Sequence, residues 1–228
     1  MKIKEIPNVS KELPFIENIL SGIAKPITWA LTKTTSITAT QVTLLSMGFA
    51  LLSALLSVFG LFVWGFISFC VFILLDHVDG QVARVRGTQG PSGVYLDSRA
   101  HYIVEPLFFI GLGVGSFYKI ANTNELLGLL YLIAGIFTAL FYLMRQTMKV
   151  EGLMDTQIRN MKSESKLSGK INYFLFDFIR INNPFGFMLF AIVFDFVGPA
   201  LIIYATLFKA NVLYSFYKNY NNLKEVKK

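Results

Sequence analysis

Two stretches combine acids, histidines and small residues at helical spacing: Asp76-His77-Val78-Asp79-Gly80-Gln81-Val82-Ala83-Arg84 and Gly93-Val94-Tyr95-Leu96-Asp97-Ser98-Arg99-Ala100-His101. Positions three, four and seven apart share one face of a helix. Asp76, Asp79, Gly80 and Ala83 therefore form one stripe, and Gly93, Asp97 and His101 form another. Both stretches lie where long apolar runs end, and a carboxylate near hydrocarbon is costly unless something cationic compensates it. Hard oxygen ligands suit Mg2+ or Mn2+, ions that usually bind together with substrate phosphates. Two such ions can clamp the attacking and leaving oxygens of an in-line displacement. Asp76, Asp79, Asp97 and His101 are thus expected to hold a pair of Mg2+ or Mn2+ ions, with Arg84 neutralising phosphate at the edge. The chemistry implied is transfer at phosphorus beside a bilayer. Glu105 lies one turn beyond His101 and is expected to accept the second imidazole N–H, orienting the ring. His77 falls off the stripe and is expected on the helix surface. Two ordinary helix ends with snorkelling charges are the bland alternative. Three aspartates on two stripes, with small residues between them, weigh against it.

The elements that must carry these residues are read from hydropathy. Hydrophobic residues make up 54% of the chain and charged residues only 15%, against about 25% charged in ordinary soluble domains. Mean hydropathy is +0.55. Several apolar runs approach the roughly 20 residues that span a bilayer, and they are continuous, unlike the alternating segments of a membrane β-barrel. The fold expected is an all-α integral membrane protein, a six-transmembrane-helix bundle with an N-terminal amphipathic surface helix. The formal net charge of +7 is carried by residues flanking apolar runs, which speaks for anionic headgroups and the positive-inside bias. No nucleic-acid signature is present. The single cysteine, Cys70, is expected to serve packing, and the N-terminus does not read as a cleaved signal.

Along the chain, residues 1–36 form an amphipathic juxtamembrane segment, with Phe15, Ile16, Ile19, Ile23, Ile27 and Leu31 at near-helical spacing and a break near Pro26. Residues 37–217 form the six-helix domain, and 218–228 a basic tail. The first span runs from Thr40 to Phe59, with Thr38 or Thr40 as cap. After a turn at Gly60 the second continues from Leu61 into the acidic motif. A basic loop at 84–92 precedes a helix from about Gly93 to Phe117, and the fourth span covers Glu125 to Arg145. A polar loop at 149–170 and an ambiguous stretch at 171–181 follow. The last two spans start near Asn182 and Gly198. The Lys and Arg distribution places the acidic motif and both termini in the cytoplasm, the localisation being the cytoplasmic membrane. The many Phe and Tyr residues are expected mainly against lipid.

The motif resembles the signature of the CDP-alcohol phosphatidyltransferases, D-x2-D-G-x2-A-R-x8-G-x3-D-x3-D. Asp76, Asp79, Gly80, Ala83, Arg84, Gly93 and Asp97 all match it in type and spacing. The layout of a surface helix before six spans is similar as well, and Ile37–Met47 looks like the family's polar lead into the first span. The resemblance implies transfer of a phosphatidyl or similar phosphoalcohol group from a CDP-alcohol, CDP-diacylglycerol first among them, to an acceptor hydroxyl, with release of CMP. It implies that Gly80, Ala83, Arg84 and Gly93 lie against the cytidine diphosphate. It also implies a CDP-linked lipid donor, surrounding membrane lipids and the homodimers common in the family.

One position departs from the signature: His101 stands where the family has its last Asp, a metal ligand and general base. A neutral imidazole offers one lone pair and one N–H, so His101 serves as ligand or as base at any one moment. As a base it suits neutral pH better than a carboxylate. Arg145 and Lys149 form a basic pair that can meet an acceptor phosphate or anchor the helix at the headgroups. Three other readings stand beside this one. A binding-only relative would have lost its base. An intramembrane prenyltransferase would release pyrophosphate and has no use for Gly80, Ala83, Arg84 and Gly93. A transporter would want its acids near the midplane.

Overall fold

The computed structural model describes residues 15–150 and 185–225. Among these residues the regular elements are α-helices: α1 Phe15–Thr34, α2 Ala39–Val58, α3 Phe62–Arg86, α4 Pro91–Ile120, α5 Glu125–Val150, α6 Phe185–Val193 and α7 Val197–Glu225. They fall into two compact units, one ending at Phe108 and the other beginning at Phe109. The acidic motif belongs to the first.

In the first unit α2 lies along α3 through a stripe of small and β-branched residues. Ser46, Ala50, Ser53 and Ser57 are buried, at steps of three and four, while Leu44, Leu45, Leu51, Leu52 and Leu55 are exposed. This inverts the pattern of a soluble helix for a physical reason. Lipid tails are as apolar as leucine, so helices associate in membranes by close backbone approach and hydrogen bonding instead. Ser68 Oγ supplies one such bond, donating to Phe49 O across the pair at 2.7 Å. Thr38 caps α2 and forms a capping box with Gln41.

The N-terminal segment differs from the expectation in one way. Pro26 does not break it; α1 is one helix from Phe15 to Thr34. Pro26 and Gly22, the residue whose carbonyl loses its partner, both lie on the exposed face, where the defect meets no neighbouring backbone. The face turned to α3 is not the apolar stripe. Ser21, Ala24 and Thr28 are buried while Ile19 and Ile23 are about half exposed. The cause is Gln81 of the acidic motif, which is fully buried. Its Nε2 donates to Ser21 O at 3.0 Å, and its Oε1 accepts from Thr28 Oγ1 at 2.8 Å, so one amide grips α1 on both sides of the proline. Apolar contacts of Ala24 with Val78 and Val82 complete the seam.

The loop expected at 84–92 is shorter. α3 runs to Arg86 and ends on Gly87 at φ 64°, a left-handed cap that glycine adopts at no steric cost. Pro91 opens α4, a first-turn position where its missing N–H costs nothing. Arg86 Nη2 donates to Thr35 O at 2.7 Å, tying the exit of α1 to the end of α3. The aromatic residues divide between surface and core: Phe59, Phe137 and Phe194 are exposed. Phe69, Phe72 and Phe108 are fully buried, and Phe69 stacks on Phe108 at 4.3 Å between ring centroids.

In the second unit α4 and α5 cross at Gly113 and Gly135. A Cβ at Gly135 would lie 2.8 Å from Gly113 Cα and 2.8 Å from Phe109 O, so the crossing admits only glycine. Asn124 Oδ1 accepts from Leu127 N and caps α5. Lys119 pairs with Asp195 at 2.7 Å. Four described helices, α2 to α5, are long and apolar enough to cross a membrane. This makes an all-α membrane protein, with four such helices where six were expected. α6, described from Phe185, has nine residues. The apolar part of α7, Val197–Leu207, is also short. The polar loop at 149–170 and the stretch at 171–181 lie outside the described residues.

Three stability outcomes follow. Gln81→Ala strands a buried carbonyl and hydroxyl and is expected to cost about 1–3 kcal/mol, read as a lower thermal midpoint in detergent. Gly135→Leu is expected to lower the midpoint by a similar amount, about 1–3 kcal/mol from overpacking. Gly48→Ala, with nothing within 4 Å of the added carbon, should shift it by less than about 1 kcal/mol.

Candidate metal and phosphate site

The end of α3 and the first turns of α4 place the chemistry-bearing residues, because the short Gly87 turn returns the chain with both stripes in register. Asp76, Asp97 and His101 each offer one ligand atom, and these atoms all lie within 4.8 Å of one another. His101 Nε2 is 3.0 Å from Asp76 Oδ1 and 3.4 Å from Asp97 Oδ1. On the other side of the ring, Nδ1 is 2.7 Å from Glu105 Oε1. A carboxylate only accepts, so the Nδ1–H donates to Glu105. Phe72 packs edge-on against the imidazole, 5.5 Å between centroids, and walls the ring on its apolar side.

Exposure grades through the cluster. The Asp97 side chain is 46% exposed, His101 26% and Asp76 22%, and Glu105 is 10% exposed. Asp97 therefore stands at the mouth and Glu105 at the floor, an order that lets a ligand enter past Asp97 and leaves Glu105 out of its reach.

Asp79 is placed differently from the expectation. It is buried, and Oδ2 accepts from Thr43 Oγ1 of α2 at 2.6 Å. It is not one of the three residues whose ligand atoms converge. The physical reason is a hydroxyl from a neighbouring helix that satisfies this carboxylate directly. His77 is also corrected: it is only 9% exposed, and its Nδ1–H donates to Ile73 O at 3.1 Å, a bond back to the preceding turn that a surface residue would make to water.

Arg84 folds back along its own helix over Gly80. A Cβ at Gly80 would stand 3.4 Å from Nη1 and 3.5 Å from Nη2. The Nε and Nη2 groups of Arg84 are buried without a hydrogen-bond partner among the described residues. Buried N–H groups with no acceptor are costly, and the guanidinium fork matches phosphate oxygens. Gly93 has open space around it and Ala83 is half-buried. Arg145 and Lys149 lie on the last turns of α5, with side chains outside the described ones. Thr43 and Gln81 had not been singled out. The available signal was their type, since a polar side chain inside an apolar helix faces a neighbour that satisfies it.

The donor set fits a divalent ion: two carboxylate oxygens and one imidazole nitrogen, brought together from two helices. Residues 36–209 match the family model for CDP-alcohol phosphatidyltransferase. No curated protein matches the chain.

Thr43→Val removes the hydroxyl that holds Asp79 while keeping the volume. Outer partners of this kind are typically worth about 10- to 100-fold in metal affinity or activity. Turnover should fall within that range, with Thr43→Ser restoring most of it.

Proposed function

The chain belongs to the CDP-alcohol phosphatidyltransferase family, and from that premise we propose a metal-dependent transfer of a phosphatidyl or other phosphoalcohol group from CDP-diacylglycerol, or a similar CDP-alcohol, to an acceptor hydroxyl. Members of the family are CDP-alcohol phosphotransferases and are typically dependent on divalent metal. The observation that carries the reading for this chain is the convergence of Asp76, Asp97 and His101. The open donors of Arg84, whose guanidinium lies over Gly80 on the same helix, support it.

Asp76, Asp97 and His101 would hold the metal, with Asp79 contributing through the oxygen that Thr43 leaves free. A pair of Mg2+ or Mn2+ ions would neutralise the diphosphate and polarise its phosphorus–oxygen bonds. Arg84 binds a phosphate oxygen through its fork, while Gly80, Ala83 and Gly93 leave space for the cytidine diphosphate. The acceptor oxygen attacks the phosphorus that bears the alcohol. A new oxygen–phosphorus bond forms as the bond to the bridging oxygen breaks, and CMP leaves with that oxygen. The acceptor proton passes to a carboxylate or imidazole of the cluster. The base is held by a turn of helix, so little reorganisation accompanies the transfer. Arg145 and Lys149 are assigned to the acceptor phosphate.

The same reading places residues 1–36 on the membrane surface, the bundle at 37–217 with two further crossings from the α6 and α7 regions, and the tail at 218–228. The site and both termini face the cytoplasm, because Lys2, Lys4, Arg84, Arg86 and the basic residues of 145–170 then share one side. A homodimer follows from family habit.

Purified protein supplied with CDP-diacylglycerol and a panel of hydroxyl acceptors should release CMP only with divalent metal, and EDTA should stop it. Asp97→Asn is expected to lower the rate by about a thousandfold, within the range of lost charge stabilisation at a transferring group. Arg84→Ala should raise the KM for the donor by about 10- to 100-fold. Release of pyrophosphate from a prenyl diphosphate, or binding of CDP-alcohols with no CMP from any of them, would overturn the assignment.

A further inference from the structure

The imidazole at the last position of the motif changes the donor set in a way that bears on which metal the centre takes. Glu105 is an acceptor 2.7 Å from Nδ1, so an N–H sits on Nδ1 and Nε2 is the atom that faces the other way. There Nε2 lies 3.0 Å from Asp76 Oδ1, to which the ion-free ring donates, and 3.4 Å from Asp97 Oδ1; a bound cation would take the place of that proton. The two Nε2–oxygen separations match the edges of a coordination sphere with bonds of about 2.0–2.2 Å, and the three candidate ligand atoms all lie within 4.8 Å of one another. A carboxylate behind a ligating histidine is the usual arrangement that locks the ring and raises its basicity. Glu105 is buried, and Phe72 packs on the same ring. Both hold the imidazole in place before any ion arrives.

We infer that His101 is a metal ligand through Nε2, held in that role by Glu105, and that this makes the centre favour nitrogen-accepting ions such as Mn2+, Co2+ or Zn2+ over Mg2+. The inference rests on the proposed transferase reading and refines it. Mg2+ depends on anionic oxygen and water and sheds its water reluctantly. Replacing a carboxylate by a neutral imidazole removes one negative charge and one oxygen donor from its sphere. Ions later in the first transition row gain from the nitrogen donor what they lose in charge. With Nε2 committed to the metal, the acceptor proton is left to a carboxylate of the cluster, and Asp97 at the mouth is the one that an incoming hydroxyl meets first. Glu105 acts through the ring and is a positioning residue.

The test uses the full-length protein in detergent or nanodiscs with metal alone. Mn2+ bound to the wild type should show nitrogen-14 modulation in pulsed electron paramagnetic resonance, and His101→Asp should bind Mn2+ without it. Calorimetric titration should give a Mg2+ dissociation constant at least tenfold above that of Mn2+ in the wild type, a ratio that falls toward unity in His101→Asp. Glu105→Ala should weaken Mn2+ by about 10- to 100-fold. Glu105→Gln, whose amide oxygen still accepts from Nδ1, should recover most of that loss if the fold survives. Bound Mn2+ without nitrogen modulation in the wild type, modulation that persists in His101→Asp, or equal affinity for Mg2+ would each overturn the inference. CMP release is scored separately. Turnover with Mg2+ and no nitrogen signal removes the inference and leaves the transferase. A nitrogen signal with no CMP from any CDP-alcohol removes the transferase and leaves the ligand assignment.

Discussion

Everything near the motif answers to one constraint: ionisable side chains at the edge of hydrocarbon must be satisfied by one another. Three carboxylates surround a single imidazole, at 2.7 Å for Glu105, 3.0 Å for Asp76 and 3.4 Å for Asp97. The fourth carboxylate, Asp79, is held by a hydroxyl of the next helix. No member of this group is stable in such a setting alone. The helix ends, the short turn at Gly87 and the aromatic wall at Phe72 are arranged so that none has to be.

The same rule extends outward to the packing. Between α2 and α3 the contact is made by serines, an alanine and a threonine, with the leucines turned away. Between α1 and α3 one glutamine bridges a carbonyl and a hydroxyl beside the apolar contacts of Ala24 with Val78 and Val82. Polar side chains therefore share with small apolar ones the work of holding these helices together. The consequence for function is that the motif helix is held on two sides by hydrogen bonds a few residues from its ligands. Thr43 and Gln81 act on the same turn of α3, one from α2 and one toward α1. A change in either is a change in how firmly the carboxylates are presented.

Much of this was legible in the residues. Long apolar runs located α2 to α5 to within a few residues. Thr38 or Thr40 was legible as the cap of α2, of which the structure uses Thr38, and the spacing of Asp76, Asp97 and His101 put them on facing stripes. Glu105, one turn beyond His101, was legible as its partner from helical periodicity alone. What escaped the reading were features set by the partner helix. Asp79 looked equivalent to Asp76, because periodicity cannot show that Thr43 would reach it. His77 looked exposed because the reading followed only the ligand stripe. α1 was read as broken near Pro26, because the sequence does not show that the proline and the carbonyl it strands both lie on the exposed face of a helix that runs through.

What the amino-acid order determined by itself is local: where helices begin and end, which residues share a face, and that acids, small residues and an arginine recur at spacings suited to a metal and a diphosphate. These follow from backbone geometry and hydropathy, which act within a few turns of chain. Only the tertiary structure decided which carboxylates converge, which one is taken up by a hydroxyl, and which face of α1 is inward. Those outcomes depend on side chains far apart in sequence, 36 residues between Thr43 and Asp79 and 53 between Thr28 and Gln81. Contacts at that range are selected by competition among neighbouring helices for the few polar partners a membrane interior offers.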